Sequence, residues 1–121
     1  TGTINTSDAR EKTFSDIPEV ETQVAKELKS LVRRFKFNDA IESKGIDKAR
    51  IHYGASAQEV IAVFEKYGLD AMEYAMVCYD EWEETPEVKD EEGNVTQAYV
   101  PAGNRYGIRY EELIMFILGA M

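Results

Sequence analysis

The chain is short of the residues that most often build small reactive or metal-binding sites. Of its 121 residues one is cysteine, Cys78, and one is histidine, His52. A lone cysteine excludes an internal disulfide, and without a second cysteine or a histidine cluster there is no zinc-ligand spacing. A serine-histidine-aspartate triad would have to use His52, yet nothing marks an orienting acid or a G-x-S-x-G elbow, and a Cys78-His52 pair has as little support. Flanked by Ile51 and Tyr53, His52 reads as a structural strand residue. No apolar run reaches the ~18–20 residues of a membrane span. The first residues lack the basic-then-apolar shape of a signal peptide, so synthesis in a reducing cytosol is expected. Gly-rich phosphate loops, paired catalytic carboxylates and cofactor motifs are missing too, so the expectation is no cofactor and no metal.

Positive charge is also scarce, in one half of the chain. Residues 1–50 hold ten Lys and Arg against nine Asp and Glu, leaving four against fourteen for the rest and a net charge of −9. An acidic surface of that kind argues against phosphate backbones and anionic lipid as partners, so no nucleic acid and no membrane are expected. With 44% hydrophobic and 31% charged residues the composition is that of a folded chain, and its length suits one modest core. The opening Thr1-Gly2-Thr3-Ile4 has no initiator methionine, which suits a fragment or mature product of a longer chain.

The apolar spacing predicts an α+β domain with about three helices and short antiparallel strands. Val20, Val24, Leu28, Leu31 and Phe35 mark one face of a helix over 18–34, preceded by Ser15, Asp16 and Pro18 as capping and first-turn residues. Period-two patterning over Arg34–Asn38 predicts a strand, and the polar residues around Gly45 a loop. Arg50–Gly54 reads as a strand feeding a helix that Ser56 and Glu59 open as a capping box and Gly68 closes. Residues 71–83 read as a further strand. The stretch after it, with a turn at Glu92-Gly93-Asn94, predicts a long, protruding acidic hairpin: a solvated face or a surface for a basic partner. The final "LIMFILGAM" is apolar on every side of a helix and has to be buried. A domain this small has little to cover it with, so self-association is expected.

One polar stretch stands out, "TSDAREK" at residues 6–12. Ser7 and Lys12 supply a nucleophile and a base without needing the histidine or the cysteine. A lysine acts as base only where burial or a positive neighbour disfavours its ammonium form, and Arg10 is a candidate neighbour. Five extended residues span roughly 17 Å, so the segment must bend or the lysine must come from another subunit. The plainer reading remains open, with Ser7-Asp8 a turn or cap and Arg10 and Lys12 solvated.

Three separated segments go further. Ser7-Asp8-x-Arg10-x-Lys12, Gly54-x-x-Ala57-Gln58-Glu59-Val60 and Tyr106-Gly107-Ile108-x-Tyr110-x-x-Leu113 occur in this order along nearly the whole chain. In this the sequence resembles the peptidase S74 family, the intramolecular chaperone domains at the C-termini of phage tail spikes, tail fibres and neck appendages. The resemblance implies a homotrimer that guides folding of an upstream β-helical stalk of the same polypeptide and then releases itself by autoproteolysis. It implies Ser7 as nucleophile, Lys12 as base, cleavage between Thr6 and Ser7, and Asp8, Arg10, Gln58 and Glu59 as supporting positions. Residues 1–6 are then the end of the stalk and 7–121 the chaperone. Such a protein assembles in the host cytoplasm, its stalk going to the virion tail or appendage. The competing expectation is a non-catalytic trimerisation or host-recognition tip. Two features depart from the family pattern: a longer acidic segment around 80–100, and a terminal helix that stops at Met121 without a heptad extension.

Overall fold

The computed structural model describes residues 4–121; residues 1–3 of the expected stalk end lie outside the described residues, and Ile4, Asn5 and Thr6 form neither helix nor strand. The first helix, α1, is Glu19–Leu31, with Val24, Ala25 and Leu28 fully buried as the apolar spacing requires. Pro18 precedes it without a side-chain cap bond. The helix ends three residues earlier than its pattern suggests, because Val32 takes extended backbone and Arg33–Phe35 leaves as strand β1. That strand pairs antiparallel with β2, His52–Gly54, in the register Arg33 to Gly54 and Phe35 to His52.

Between these strands the loop expected around Gly45 is present, and an unexpected helix precedes it. Asn38–Lys44 forms a short helix, α2, so the described residues hold four α-helices rather than about three. Seven residues give fewer than two apolar repeats, and only Ala40 and Ile41 are drawn towards the protein, too few to register as a period.

The next helix, α3, is Ala57–Lys66, and its ends are those expected. Ser56 Oγ accepts from the Glu59 N–H at 3.4 Å. At the other end Gly68 adopts φ +76, and two bonds, Gly68 N–H to Glu65 C=O at 3.0 Å and Leu69 N–H to Phe64 C=O at 2.9 Å, complete a Schellman closure.

The expected strand at 71–83 starts only at Val77. Asp70 first caps a 3-10 turn, Ala71–Glu73, by accepting from the Met72 N–H at 2.9 Å. Strand β3, Val77–Trp82, then pairs antiparallel with a strand much later in sequence, Gly103–Ile108. In the interval the chain runs through a Thr85 to Val100 bridge and two short paired strands, β4 (Val88–Lys89) and β5 (Val95–Gln97), and Gly103–Ile108 is therefore β6. Asp90 accepts from the N–H groups of Glu92 and Asn94, both at 2.9 Å, and so shapes the turn.

The last helix, α4, is Tyr110–Ala120. Leu113 and Ala120 are buried and Phe116 and Ile117 half-buried, which lays one face of α4 against α1 and α3. The core is formed by Val24 and Leu28 of α1, Val60, Val63 and Phe64 of α3, Ala71, Met76, Val77 and Leu113. Full burial of each larger side chain, Phe64 above all, contributes about 1.5–3 kcal/mol. Phe64, Tyr74 and Phe116 form a ring cluster with centroids 4.8–5.8 Å apart. Around its rim Glu27 accepts from Lys66 at 2.7 Å and from Tyr67 at 2.5 Å, and Glu21 accepts from the Tyr74 hydroxyl at 2.6 Å. Among the described residues nothing covers the opposite face of α4: Ile114 is 58% exposed, Met115 63%, Leu118 70% and Met121 53%.

Candidate active site

Residues 6–12 bend, and a single side chain starts the bend. Asp8 caps a 3-10 turn, Ala9–Glu11, its Oδ1 accepting from the Arg10 N–H at 2.9 Å while its own C=O accepts from the Glu11 N–H at 2.9 Å. Lys12 closes the turn with its N–H on the Ala9 C=O at 3.4 Å. The turn folds the chain back on itself, and Lys12 Nζ donates to Ser7 Oγ at 2.9 Å. The two side chains that spacing alone left up to ~17 Å apart therefore meet within one chain.

Arg10 is paired with Asp8. Its guanidinium forks onto Asp8, Nε to Oδ1 at 3.1 Å and Nη2 to Oδ2 at 2.8 Å. The Arg10 side chain, helped by its backbone N–H, holds the Asp8 carboxyl below the usual carboxylate range, and Asp8 in turn raises the guanidinium. Both groups thus support the turn. Every residue from Ile4 to Pro18 is exposed, Ser7 and Lys12 included, and Lys12 Nζ also lies 6.0 Å from the centre of the Phe14 ring. In the single chain the pair has the distance that proton transfer requires, but Lys12 lacks burial.

Gln58 and Glu59 are placed elsewhere, on the first turn of α3. Gln58 Oε1 accepts from Ser56 Oγ at 3.3 Å, and Glu59 forms an ion pair with Arg33 of β1. Among the described residues no hydrogen bond joins either to residues 6–12; their visible work is to cap α3 and tie it to β1. His52 stacks on Phe35, centroids 5.5 Å apart, and meets Phe37 edge-on at 4.9 Å. Cys78 is a free thiol opposite Gly107. Among the described residues no group of three or more His, Cys, Asp or Glu side chains is placed to hold a metal.

Two contacts were not legible in the sequence. Tyr110 Oη accepts from the Ala55 N–H and donates to the Ala55 C=O, both at 3.3 Å, so the segment before α3 is latched to the start of α4. The latch works because residue 54 is glycine: a Cβ there would lie 2.3 Å from Tyr110 Oη. The second contact is Asn5 Nδ2, donating to Glu111 Oε2 at 3.2 Å. Tyr110 belongs to a quoted motif, but nothing in the motif names its partner; Asn5 and Glu111 carried no signal at all.

Residues 7–69 match the family model Peptidase S74, described as chaperone of endosialidase. A tail spike protein of Escherichia virus K5 is 42% identical over 83 residues, 68% of this chain and 13% of its own length. The side tail fiber protein pb1 of Escherichia phage T5 is 35% identical over 123 residues, 96% of this chain and 9% of its own. The chain therefore spans about a tenth of the length of these curated relatives. A solved structure described as the crystal structure of a novel intramolecular chaperon superposes with a TM-score of 0.77 at 40% identity, covering 95% of this chain and 94% of that one.

Proposed function

The chain belongs to the Peptidase S74 family, the chaperone of endosialidase, and from that premise we propose that it is a trimeric intramolecular chaperone of a phage tail fibre or spike that cuts itself free between Thr6 and Ser7. The observation that carries the catalytic part is the 2.9 Å approach of Lys12 Nζ to Ser7 Oγ across the Asp8-capped turn. Ser7 Oγ adds to the Thr6 carbonyl while its proton passes to neutral Lys12. Collapse of the adduct breaks the Thr6–Ser7 C–N bond, leaves an ester on Ser7 Oγ, and returns the proton from Lys12 to the departing Ser7 nitrogen. Water then hydrolyses the ester, so the products are the Thr6 carboxylate and a new N-terminal Ser7. Backbone N–H groups stabilise the oxyanion, and one turnover suffices.

Assembly completes the site in this reading. Burial of Lys12 beneath the stalk or a neighbouring protomer disfavours its ammonium and makes it a base. The open face of α4, with Ile114, Met115, Leu118 and Met121, supplies the trimer contact. Three chains held together raise the local concentration of stalk strands whose pairing is non-local and slow. Removing the nucleus afterwards makes the stalk's stability kinetic. The product then travels in the virion tail, and the released chaperone stays in the host cytoplasm.

The solvent exposure of Ser7 and Lys12 favours the second reading, a trimerisation or host-recognition tip with no proteolysis. A precursor carrying the native upstream segment separates the two by mass spectrometry. The first reading expects a new N-terminus at Ser7, lost in both Ser7→Ala and Lys12→Ala while the full-length trimer persists. Unaltered processing in those variants, or none in the parent, defeats it.

A further inference from the structure

The arm that carries the proposed cut is held at two points. From Ile4 to Ile17 every residue is exposed, and among the described residues one hydrogen bond joins this arm to the chain beyond Pro18: Asn5 Nδ2 to Glu111 Oε2, 3.2 Å. Asn5 lies two residues before Ser7, just upstream of the Thr6–Ser7 bond. On the downstream side Lys12, which follows the Asp8-capped turn, holds the Ser7 hydroxyl at 2.9 Å. The peptide between Thr6 and Ser7 therefore lies between two side-chain contacts, one on each side.

The upstream anchor is a firm one. Glu111 sits in the first turn of α4, between groups that are themselves tied down. Arg109 gives its N–H to the Met76 C=O at 2.8 Å and its Nη1 to the Ala75 C=O at 2.9 Å, Tyr110 is latched to Ala55, and Leu113 is buried. Asn5, Arg109, Tyr110, Glu111 and Glu112 together line an open cavity of about 400 Å³.

Ser7 Oγ and the Thr6 carbonyl are covalent neighbours, so bringing them together is not the obstacle to reaction. Orientation is: the hydroxyl must meet one face of the carbonyl, which restricts the backbone on both sides of the peptide. We propose that Glu111 is a positioning residue for the self-cleavage, holding Asn5 so that the Thr6 carbonyl is presented to Ser7. The assignment rests on the autoproteolytic reading above.

The test uses the stalk-containing precursor and follows the first-order appearance of the Ser7 N-terminus. Glu111→Ala and Asn5→Ala each slow cleavage about three- to tenfold, the effect of losing one solvent-exposed hydrogen bond of ordinary net strength. The double variant is no slower than either single one, and Glu111→Gln, whose amide oxygen still accepts from Asn5, cleaves within about twofold of the parent. Melting temperature stays at the parental value in each variant, and rates are compared at equal trimer content because Glu111 shares a helix face with Ile114, Met115 and Leu118. Parental rates in both single variants overturn the proposal and leave the Ser7-Lys12 mechanism standing. Losses that multiply in the double variant, or a slow Glu111→Ala beside a normal Asn5→Ala, overturn it as well. If Glu111→Ala alone fails to fold, Asn5→Ala, which alters only the arm, decides the matter. A parent precursor that is never cut, indistinguishable from Ser7→Ala, removes the mechanism and this assignment together.

Discussion

Replacing Leu118 by alanine separates the two faces of α4. The side chain is 70% exposed in the protomer, so its loss changes the stability of the single chain by no more than about 0.5 kcal/mol. In a trimer sealed by this face the same side chain is covered. Full burial of a leucine is worth about 1.5–3 kcal/mol, and covering the exposed part contributes about 1–2 kcal/mol per protomer, about 3–6 kcal/mol for three. The association constant of Leu118→Ala then falls roughly a hundred- to ten-thousandfold. For three chains joining in one step the half-assembly concentration varies as the square root of that factor, so it rises about ten- to a hundredfold. Sedimentation velocity over a dilution series measures the shift, with far-ultraviolet circular dichroism as the control for folding. Identical dissociation profiles for parent and variant, or a parent that stays monomeric at every concentration, would refute the reasoning that this face is the contact.

Gly54→Ala should destabilise the fold by about 1–3 kcal/mol in urea, because the new Cβ meets Tyr110 Oη at 2.3 Å. In a Tyr110→Phe background, which removes the hydroxyl but leaves the ring carbon Cζ 2.9 Å from the new Cβ, the penalty should shrink in part, and an unchanged penalty would show that the hydroxyl contact is not its cause. Tyr74 is pushed up to about 12, first by burial and then by its hydrogen bond to Glu21. A group whose folded value is raised stabilises fully below its ordinary value near 10, so this contribution should fade as the pH climbs from 10 towards 12. Melting curves of the parent and Tyr74→Phe should therefore converge over that interval, and parallel curves would contradict the assignment.

Helices α1 and α3 were legible because each repeats its apolar face often enough to define a period, and because Ser56 and Gly68 are residues whose preference for a helix end is local chemistry. The short α2 was not, since its two half-buried residues cannot establish a repeat. The start of β3 was misplaced for a different reason. Ala71–Tyr74 has a composition that suits a strand, but the Asp70 carboxylate captures the Met72 N–H and turns the chain first. For α4 the composition told only that the helix is apolar all round. Which side faces the core depends on α1 and α3, and Leu113 and Ala120 answer that only once those helices are in place.

The stretch over residues 6–12 shows the same division between local and distant causes. Asp8 is a capping residue with a partner two positions away, so the bend that brings Lys12 to Ser7 is a local event, written within five residues. The anchor at Glu111 is 106 positions from Asn5 and exists only because Arg109 and Tyr110 fix the start of α4 to other parts of the fold. The remaining requirement is more distant still. In the proposed mechanism the lysine also has to be shielded from water before it takes the serine proton. On the proposed mechanism, a segment that carries its own geometry while depending on assembly for its basicity would cut late, after the stalk has been guided, and that order is the one a self-releasing chaperone would need.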